Sequence, residues 1–349
     1  MAKNKPEHLL VIRLSAMGDV AMTVPVLLAL TKQNPQLKIT VLTRKFFAPM
    51  FSNVPSVSVY EADVKGRHKG VFGLWKLYKE LTKLKIDAVA DLHNVLRSKV
   101  LKRYFKFGRI PVAQIDKGRA EKKALTSTVS KDFKPLKTTH QRYVDVFAQL
   151  GFPIDLPKNS VLSKGSLSDE TQKIVGIDSK KWIGIAPFAA FEGKTYPLEL
   201  MEEVIAKLNK DNGYKIFLFG GGPIQEKKLQ SFENKFTNCL SMVGKLSFHE
   251  ELALISNLDT MLSMDSGNAH LGAMYGIPVV TLWGVTHPYA GFYPFGQDVD
   301  NALCADRDKF PLIPTSVYGN KMPEGYEMTM RTILPEQVVT KVKSVLNDV

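Results

Sequence analysis

The chain has 349 residues, 44% of them hydrophobic and 23% charged, and a formal net charge of +13. These are the proportions of a globular protein, and the length predicts two domains. No apolar run reaches the roughly 18 residues of a membrane-spanning helix, because Arg13 and Asp19 interrupt the N-terminal one. Cys239 and Cys304 stand far apart without metal-ligand spacing, which argues against a disulfide framework and a zinc site and favours a reducing cytoplasm.

The first half of the chain alternates strands and helices. The start MAKNKPEHLLVIRL is basic and then apolar, as in a signal peptide, but Arg13 and the lack of a convincing cleavage site favour a first strand. LLVIRL, KITVLT, SVSVY and AVADL are the predicted strands of a buried parallel sheet. Helices are predicted at FGLWKLYKELTKLK, whose leucines fall at helical spacing, and at HQRYVDVFAQLG, which Gly151 ends.

A second alternating series follows a break in this pattern. The chain from Phe152 to about Lys181 is rich in Pro, Ser, Lys and Asp, so we predict an N-terminal domain over 1–160, a linker over 161–180 and a C-terminal domain over 181–334. The second series places strands at WIGIAP, KIFLFG, CLSMVG, TMLSMD and VVTLWG. A last helix over 335–349 opens at Pro335 and has one apolar face.

Four strand–loop–helix junctions carry glycines, charges or hydroxyls, and they mark the carboxyl ends of parallel strands, where such folds bind ligands. The first three are LSAMGDVAM with Gly18 and Asp19, APFAAFEGKTYP with Lys194, and FGGGPIQEKK with three glycines from Gly220. Each has an ordinary alternative: Asp19 as a helix N-cap, Lys194 as a solvated lysine and the glycines as a tight turn.

The fourth junction, MDSGNAH over 264–270, is the most informative. Asp265 or Ser266 supplies a helix N-cap, and Gly267 lets a ligand approach the backbone. Free N–H groups and the helix dipole there form an anion site. His270 lies in the second turn, within reach of such a ligand, and the alternative is a core-facing histidine in an ordinary capped helix.

In their order and spacing these motifs resemble glycosyltransferase family nine, the ADP-heptose:lipopolysaccharide heptosyltransferases. The Gly-Asp pair, the mid-chain lysine loop, the D-[ST]-G-x-x-H helix start and the turn GVTHP at 284–288 carry the resemblance, which runs from about Leu9 to the C-terminal helix. It implies an α/β fold of the GT-B type, with two Rossmann-like domains facing across a cleft and the last helix packing back on the N-terminal domain. It also implies an inverting glycosyltransferase that uses ADP-heptose as a substrate and needs neither a cofactor nor a metal.

The resemblance assigns the catalytic roles. Asp19 matches the family's catalytic aspartate, the general base for the acceptor hydroxyl, and Gly18 would let its loop approach the donor sugar. Lys194 matches the lysine that holds the leaving diphosphate. That loop departs from the family pattern, because Ala189 and Ala190 replace hydroxyl residues and a tyrosine at 196 replaces tryptophan. Backbone N–H groups would therefore supply phosphate contacts there.

The remaining donor contacts follow from the glycine triplet and the fourth junction. Gly221 and Gly222 would cradle the nucleotide, with Gln225 or Glu226 near the ribose. Asp265 resembles the residue that contacts the donor sugar, and His287 stands where many relatives have Asp. The predicted donor-binding set is Gly18, Lys194, Gly221, Gly222, Gln225, Asp265, Ser266, Gly267 and His270.

The positive charge is unevenly distributed. Residues 65–137 carry 20 Lys and Arg against 6 Asp and Glu, whereas the rest of the chain carries 27 against 28. We interpret this surplus as attraction to an anionic acceptor, the lipopolysaccharide core, at the cytoplasmic face of the inner membrane, with peripheral membrane contact. Arg97, after AVADL, and Arg119, in the loop-rich DKGRAEKK segment that could fold over the cleft, are the predicted acceptor-binding residues. The alternative is a solvated lysine surface.

The sequence disfavours two other functions and leaves two open. A nicotinamide dehydrogenase needs G-x-G-x-x-G after the first strand, which LSAMGDVAM lacks. Nucleic-acid binding would use the basic segment, but aromatic RNP motifs, zinc spacings and helix-turn-helix signals are missing, so no nucleic-acid partner is predicted. A GT-B sugar-nucleotide epimerase and a non-enzymatic binder of anionic ligands stay open as alternatives.

Overall fold

The computed structural model describes residues 5–347, which form two α/β units. The first unit comprises residues 1–117 and 137–162, and the second comprises residues 118–136 and 163–349. Residues 1–4 and 348–349, at the ends of the predicted first domain and last helix, lie outside the described residues. Two domains built from alternating strands and helices are thus what the composition and the patterning predicted.

The first unit is built on a five-stranded parallel sheet in the order β3-β2-β1-β4-β5. Its strands are β1 His8–Ile12, β2 Lys38–Thr43, β3 Val57–Glu61, β4 Ala88–Asp91 and β5 Val112–Gln114. The strand order reverses between β1 and β4: β2 and β3 lie on one side of β1, and β4 and β5 lie on the other. In a Rossmann-like sheet this switch point opens the crevice that receives ligands.

Five helices cover this sheet: α1 Met17–Ala21, α2 Thr23–Gln33, α3 Gly70–Thr82, α4 Leu96–Phe107 and α6 Thr139–Gln149. The predicted leucine stripe of α3 is buried, with Leu74, Leu77 and Leu81 at 4% exposure or less in a core shared with Phe105 of α4. Leu84 follows the helix and packs on the edge of that core. Residues spaced three and four apart therefore face the sheet as their helical period requires.

The second unit is built on a six-stranded sheet in the order β11-β10-β9-β6-β7-β8. Every pairing in it is parallel. Its strands are β6 Lys181–Ala186, β7 Tyr214–Leu218, β8 Cys239–Ser241, β9 Thr260–Met264, β10 Val279–Trp283 and β11 Ala302–Cys304. Its helices are α5 Arg119–Leu125, α7 Asp169–Val175, α8 Leu198–Asn209, α9 Pro223–Lys235, α10 Phe248–Ile255, α11 Gly267–Ala273 and α12 Pro335–Asn347. The switch point of this sheet lies between β6 and β9.

The segment 118–136 differs from its prediction. It was assigned to the N-terminal domain as a loop-rich stretch, but it belongs to the second unit and begins with α5. The Lys131 ammonium donates to the carbonyls of Leu125, Leu312 and Pro314 at 3.0–3.1 Å. Leu136 and Leu125 pack with Ala290. These contacts are distant in sequence, so local patterning gave no signal for them.

The predicted linker also differs in its packing, whereas the last helix has its predicted apolar face. Residues 163–180 belong to the second unit and contain α7, whose N-cap Ser168 accepts the Thr171 N–H at 3.2 Å. The predicted apolar face of α12 exists, with Val338 and Val342 fully buried. That face lies in the core of the second unit and packs against α8, and the expected packing on the N-terminal domain stays a prediction.

Candidate functional site

The first unit gathers charged and polar side chains at its switch point. Asp19 is the third residue of α1, which follows β1 after a short loop, and Asp91 and His93 close the end of β4. The apolar run of β1 continues into Arg13 and Leu14, both buried. Two neighbouring parallel strands therefore deliver an arginine, two aspartates and a histidine to one edge of the sheet.

Asp19 is held by a buried cation. The Arg13 Nη2 lies 2.5 Å from the Asp19 Oδ2, with side-chain exposures of 6% and 25% respectively. Arg13 Nη1 also donates to the Leu92 carbonyl at 2.6 Å, which fixes the guanidinium against the turn after β4. The same Asp19 oxygen accepts the Ala16 N–H at 3.3 Å, so the carboxylate closes the first turn of α1 as well.

This arrangement keeps the guanidinium charged. Burial alone would lower the pKa of Arg13, but the neighbouring Tyr143 hydroxyl and the Asp19 carboxylate outweigh it, and the pKa is raised. The Tyr143 hydroxyl donates to the Asp19 carbonyl at 3.2 Å. Asp19 therefore does cap the helix, as its ordinary alternative predicted. A capping carboxylate does not need a buried arginine as a partner, however, and Asp19 has one.

The turn after β4 is rigid and carries a neutral histidine. Asp91 is fully buried and accepts the N–H groups of His93 and Asn94 at 3.0 and 2.9 Å, and the Gln114 amide donates to its other oxygen. His93 is 7% exposed, and its Nε2 lies 3.4 Å from the Ser15 hydroxyl. Burial, with the nearby Arg13 and Lys117 charges, lowers the pKa of His93 to about 4. His93 is therefore neutral at pH 7.

In the second unit, Lys194 and Asp265 meet at the switch point. Lys194 ends a 3-10 turn after β6, and Asp265 follows β9 directly. The Lys194 Nζ lies 2.9 Å from the Asp265 Oδ2, and the buried Thr286 hydroxyl donates to the same oxygen at 2.8 Å. The side chains of Lys194 and Asp265 are only 12% and 10% exposed. The ordinary alternative for Lys194, a solvated lysine, is therefore not what the structure shows.

Three glycines let backbone pass close to this pair. A Cβ at Gly319 would lie 2.4 Å from the Lys194 Cδ, and Gly319 has a φ of +79°. A Cβ at Gly284 would lie 2.3 Å from the Gly193 carbonyl oxygen, which accepts the Val285 N–H at 2.9 Å. Side chains at these positions would push apart the loops after β6 and β10, so the glycines position the lysine and its partners.

The helix start after Asp265 is only partly as predicted. Ser266 occupies the N-cap position of α11, but no side-chain capping hydrogen bond is formed, and its hydroxyl lies 3.1 Å from that of Ser263. Gly267 opens the helix, so the first-turn N–H groups lack intrahelical partners. His270 is in the second turn and 7% exposed, closer to the alternative of a core histidine. Its contact with a donor stays a prediction.

The glycine triplet forms the turn between β7 and α9. The Gly221 N–H donates to the Gln225 Oε1 at 2.9 Å, and Gly222 has a φ of +81°. A Cβ at Gly221 or Gly222 would meet no atom within 4 Å. The turn is thus open on its outer side, and the Gln225 carbonyl oxygen serves the turn itself. Nucleotide binding there stays a prediction.

The remaining predicted residues lie apart from these clusters. Arg97 is exposed in the first turn of α4 in the first unit, whereas Arg119 is exposed at the start of α5 in the second. His287 is 9% exposed and stacks edge-on against Phe133 and Tyr289. Burial, with the Arg307 charge, lowers the pKa of His287 to about 4. His287 thus packs as a neutral ring.

Sequence reasoning missed three polar groups of these clusters: Arg13, His93 and Thr286. Arg13 had a signal, since it is the one charge in the strand-like run HLLVIRL, where a charge is buried only with a partner. His93 and Thr286 follow strands β4 and β10 closely, and that position at the carboxyl end of a parallel strand marks them as site residues.

Comparison with known proteins identifies the family. A model described as glycosyltransferase family 9 (heptosyltransferase) matches residues 74–311, more than half of the chain. The chain belongs to glycosyltransferase family 9. It is 27% identical over 293 residues to the lipopolysaccharide core heptosyltransferase OpsX of Haemophilus influenzae, covering 81% of this chain and 80% of that protein. The family 9 protein is therefore a glycosyltransferase, as its motifs predicted.

Solved structures show the same fold. The family 9 glycosyl transferase from Veillonella parvula superposes with a TM-score of 0.74 at 22% identity, covering 98% of each chain. The heptosyltransferase WaaC of E. coli, solved with ADP-2-deoxy-2-fluoro heptose, superposes with a TM-score of 0.65 at 19% identity, covering 97% of this chain and 99% of that one. These likenesses confirm the predicted GT-B fold class.

The described residues contain neither a metal-ligand cluster nor a membrane-spanning helix. Between residues 5 and 347, no group of three or more His, Cys, Asp or Glu side chains has a metal-binding arrangement. Over the same residues, no helix combines the length and the apolar character needed to cross a bilayer. Independence from metals and cofactors stays a prediction.

Proposed function

We propose that this family 9 enzyme transfers heptose from ADP-heptose, with inversion, to an anionic acceptor of the lipopolysaccharide core. The observation that carries the proposal is the Arg13–Asp19 pair, which holds a partly exposed carboxylate at the switch point of the first unit. The name of the similar OpsX protein supports the acceptor class, and the ligand in the WaaC structure supports the donor.

Asp19 would act as the general base. As the acceptor oxygen attacks the anomeric carbon, its proton passes to the Asp19 carboxylate and the bond from that carbon to the diphosphate oxygen breaks. Arg13 does not reach out to the substrate, because it is 5% exposed; it orients the carboxylate through Nη2. A neutral His93 beside them adds no second positive charge to the site.

Lys194 would hold the departing diphosphate. Its ammonium has three donors, of which the Asp265 contact occupies one, so it can bind a phosphate oxygen while keeping its partner. First-turn N–H groups at Gly267 offer further donors to the same anion. Asp265, fixed by Lys194 and Thr286, would contact the donor sugar.

The test is a transfer assay with a nucleotide screen. ADP-heptose with a heptose-deficient core acceptor should yield ADP and extended acceptor, whereas GDP- and UDP-sugars should not. Thermal stabilisation should follow the same order, since a ligand at 100 times its Kd adds about 2.7 kcal/mol. Isomerisation of the sugar nucleotide without acceptor would identify the epimerase alternative, and binding without either reaction would identify a non-enzymatic binder.

The acceptor is proposed to be bound by Arg97 and Arg119, which are both exposed. Replacing either with alanine should raise KM for the acceptor and leave that for the donor unchanged. Arg97 belongs to the first unit and Arg119 to the second, so each substitution is tested separately. An equal effect of both variants on donor and acceptor would contradict the assignment.

A further inference from the structure

The helices α3 and α4 expose large apolar side chains, and no other element between residues 5 and 347 covers them. Phe72 is 91% and Phe107 is 87% exposed, and Val71 and Trp75 beside them are exposed as well. Single exposed apolar residues are common on soluble proteins, but a contiguous group usually marks an interaction surface.

Contacts between the two helices bring Val71 and Trp75 beside Tyr104, and helical spacing places Phe72 one turn from Trp75 and Phe107 one turn from Tyr104. The Tyr104 hydroxyl of α4 donates to the Val71 carbonyl of α3 at 3.3 Å. The rings of Trp75 and Tyr104 are 5.0 Å apart, centre to centre. Phe107 lies three residues beyond Tyr104 on α4, which places it one turn along the same side of the helix. We call Val71, Phe72, Trp75 and Phe107 the α3–α4 patch.

The surroundings of the patch are strongly cationic. Helices α3 and α4 together carry seven Lys and Arg and a single acidic residue, Glu80. Glu80 is already engaged by Tyr60, Arg67 and His68. Lys79 holds its ammonium 4.9 Å from the centre of the Trp75 ring, and Arg103 lies one turn before Phe107. At least two of these cations, Lys79 and Arg103, thus lie beside the patch.

We propose that the α3–α4 patch docks the enzyme on the surface of an anionic lipid bilayer. Aromatic side chains favour the interfacial layer of a membrane, and each nearby Lys or Arg adds attraction to anionic headgroups. An exposed apolar group ringed by cations matches that layer in both polarity and charge. The inference rests on the proposed function in one respect: a glycolipid acceptor would be embedded in that bilayer.

Vesicle sedimentation tests the proposal directly. The full chain should bind vesicles of phosphatidylethanolamine and phosphatidylglycerol and should not bind pure phosphatidylcholine vesicles. Phe72→Ser with Phe107→Ser, and Lys79→Glu with Arg103→Glu, should each weaken binding about tenfold or more. The matched controls are Ile177→Ser with Val299→Ser and Lys164→Glu with Lys173→Glu, which change exposed residues elsewhere and should bind as the unchanged protein does.

Tryptophan fluorescence gives a second readout at the patch itself. Trp75 is 43% exposed, so insertion into the interface should shift its emission to shorter wavelength, and Trp75→Phe should abolish the shift. Equal binding by patch and control variants, or no binding to anionic vesicles, would overturn the proposal. Loss of a dimer in the patch variants without vesicle binding would also overturn it, in favour of an interface between copies.

The outcome is separable from that of the proposed function. Asp19→Asn should bind vesicles normally while failing in transfer. The patch variants should keep full transfer to a delipidated, soluble core acceptor and lose activity only on acceptor in vesicles. Absence of transfer by every protein would refute the proposed function and leave the vesicle result standing.

Discussion

Replacing Asp19 by asparagine should lower both turnover and stability, because the carboxylate is the proposed general base and also the ion-pair partner of Arg13. Removal of a general base costs about a hundredfold to ten-thousandfold in rate, so kcat should fall by about a hundredfold or more. Donor binding should persist, because the diphosphate contacts proposed above lie on the second unit. The measurement is ADP release at saturating donor, with the donor Kd obtained by calorimetry.

The stability effect follows from burial. Arg13 is 5% exposed, and the substitution leaves its charge beside a neutral amide. Breaking a buried ion pair from one side costs about 3–5 kcal/mol. Asp19 is 25% exposed and an asparagine oxygen still accepts a hydrogen bond, so we expect a smaller loss of about 1–2 kcal/mol. Urea unfolding followed by Trp75, the one tryptophan of the first unit, measures it.

Two matched variants make this prediction decisive. Asp145→Asn breaks the exposed Lys137–Asp145 pair in the same unit and should change stability by less than about 1 kcal/mol, with full turnover. Arg13→Met keeps the Asp19 carboxylate, so it should lose less turnover than Asp19→Asn. Full turnover in purified Asp19→Asn would refute the general-base role, and an unfolding midpoint equal to that of Asp145→Asn would refute the coupling to Arg13.

Three further changes test the surroundings. Lys194→Ala should weaken ADP binding. Because it leaves the carboxylate of its partner Asp265 unpaired, it should also lower the free energy of unfolding by about 1–2 kcal/mol. An ADP affinity equal to that of the unchanged protein, measured by calorimetry, would remove Lys194 from the site. Gly319→Ala should weaken ADP binding as well, since its Cβ would lie 2.4 Å from the Lys194 Cδ, whereas Gly325→Ala, at a similar φ of +82° but in open space, should not. The pKa of His93 is about 4 in the folded chain, against 6.5 in the unfolded chain. The contribution of His93 to stability is therefore complete above pH 6.5 and is lost as the pH falls towards 4. The loss is at most about 3 kcal/mol, and the stability difference between the protein and His93→Gln should change over that pH range; a difference independent of pH would contradict it.

The sequence predicted the repetitive part of the fold well. Strands such as β2 and β9 are continuous apolar runs bounded by polar turns, and helix α3 has a clear 3.6-residue period, so their positions follow from local patterning. Strands β5 and β11 have three residues each and were not predicted, whereas β8 is as short but lies within the longer, mostly apolar run CLSMVG and was predicted. Short strands at sheet edges are specified by pairing with a neighbour.

The assignment of segments to units depends on contacts that are distant in sequence. The apolar face of α12 was visible in its valines, but an apolar face does not specify which sheet covers it. Likewise, the segment 118–136 lies in the sequence among elements of the first unit yet belongs to the second. Its anchoring depends on Lys131 donating to carbonyls about 180 residues away, and such contacts leave no local pattern.

Each switch point holds a carboxylate paired with a cation, but the two pairs differ in which partner is exposed and in which hydrogen-bond donors are left over. Arg13 is 6% exposed at its side chain and is directed at Asp19 and a backbone carbonyl, so its charge serves to hold the carboxylate in place. Lys194 is twice as exposed, at 12%, and its ammonium keeps donors beyond the one that meets Asp265. In the first pair the carboxylate is the group left open to solvent, whereas in the second pair both partners are nearly equally covered. A partly exposed carboxylate is suited to accept a proton, and a compact ammonium is suited to bind a leaving diphosphate. The proposed transfer requires both of these roles.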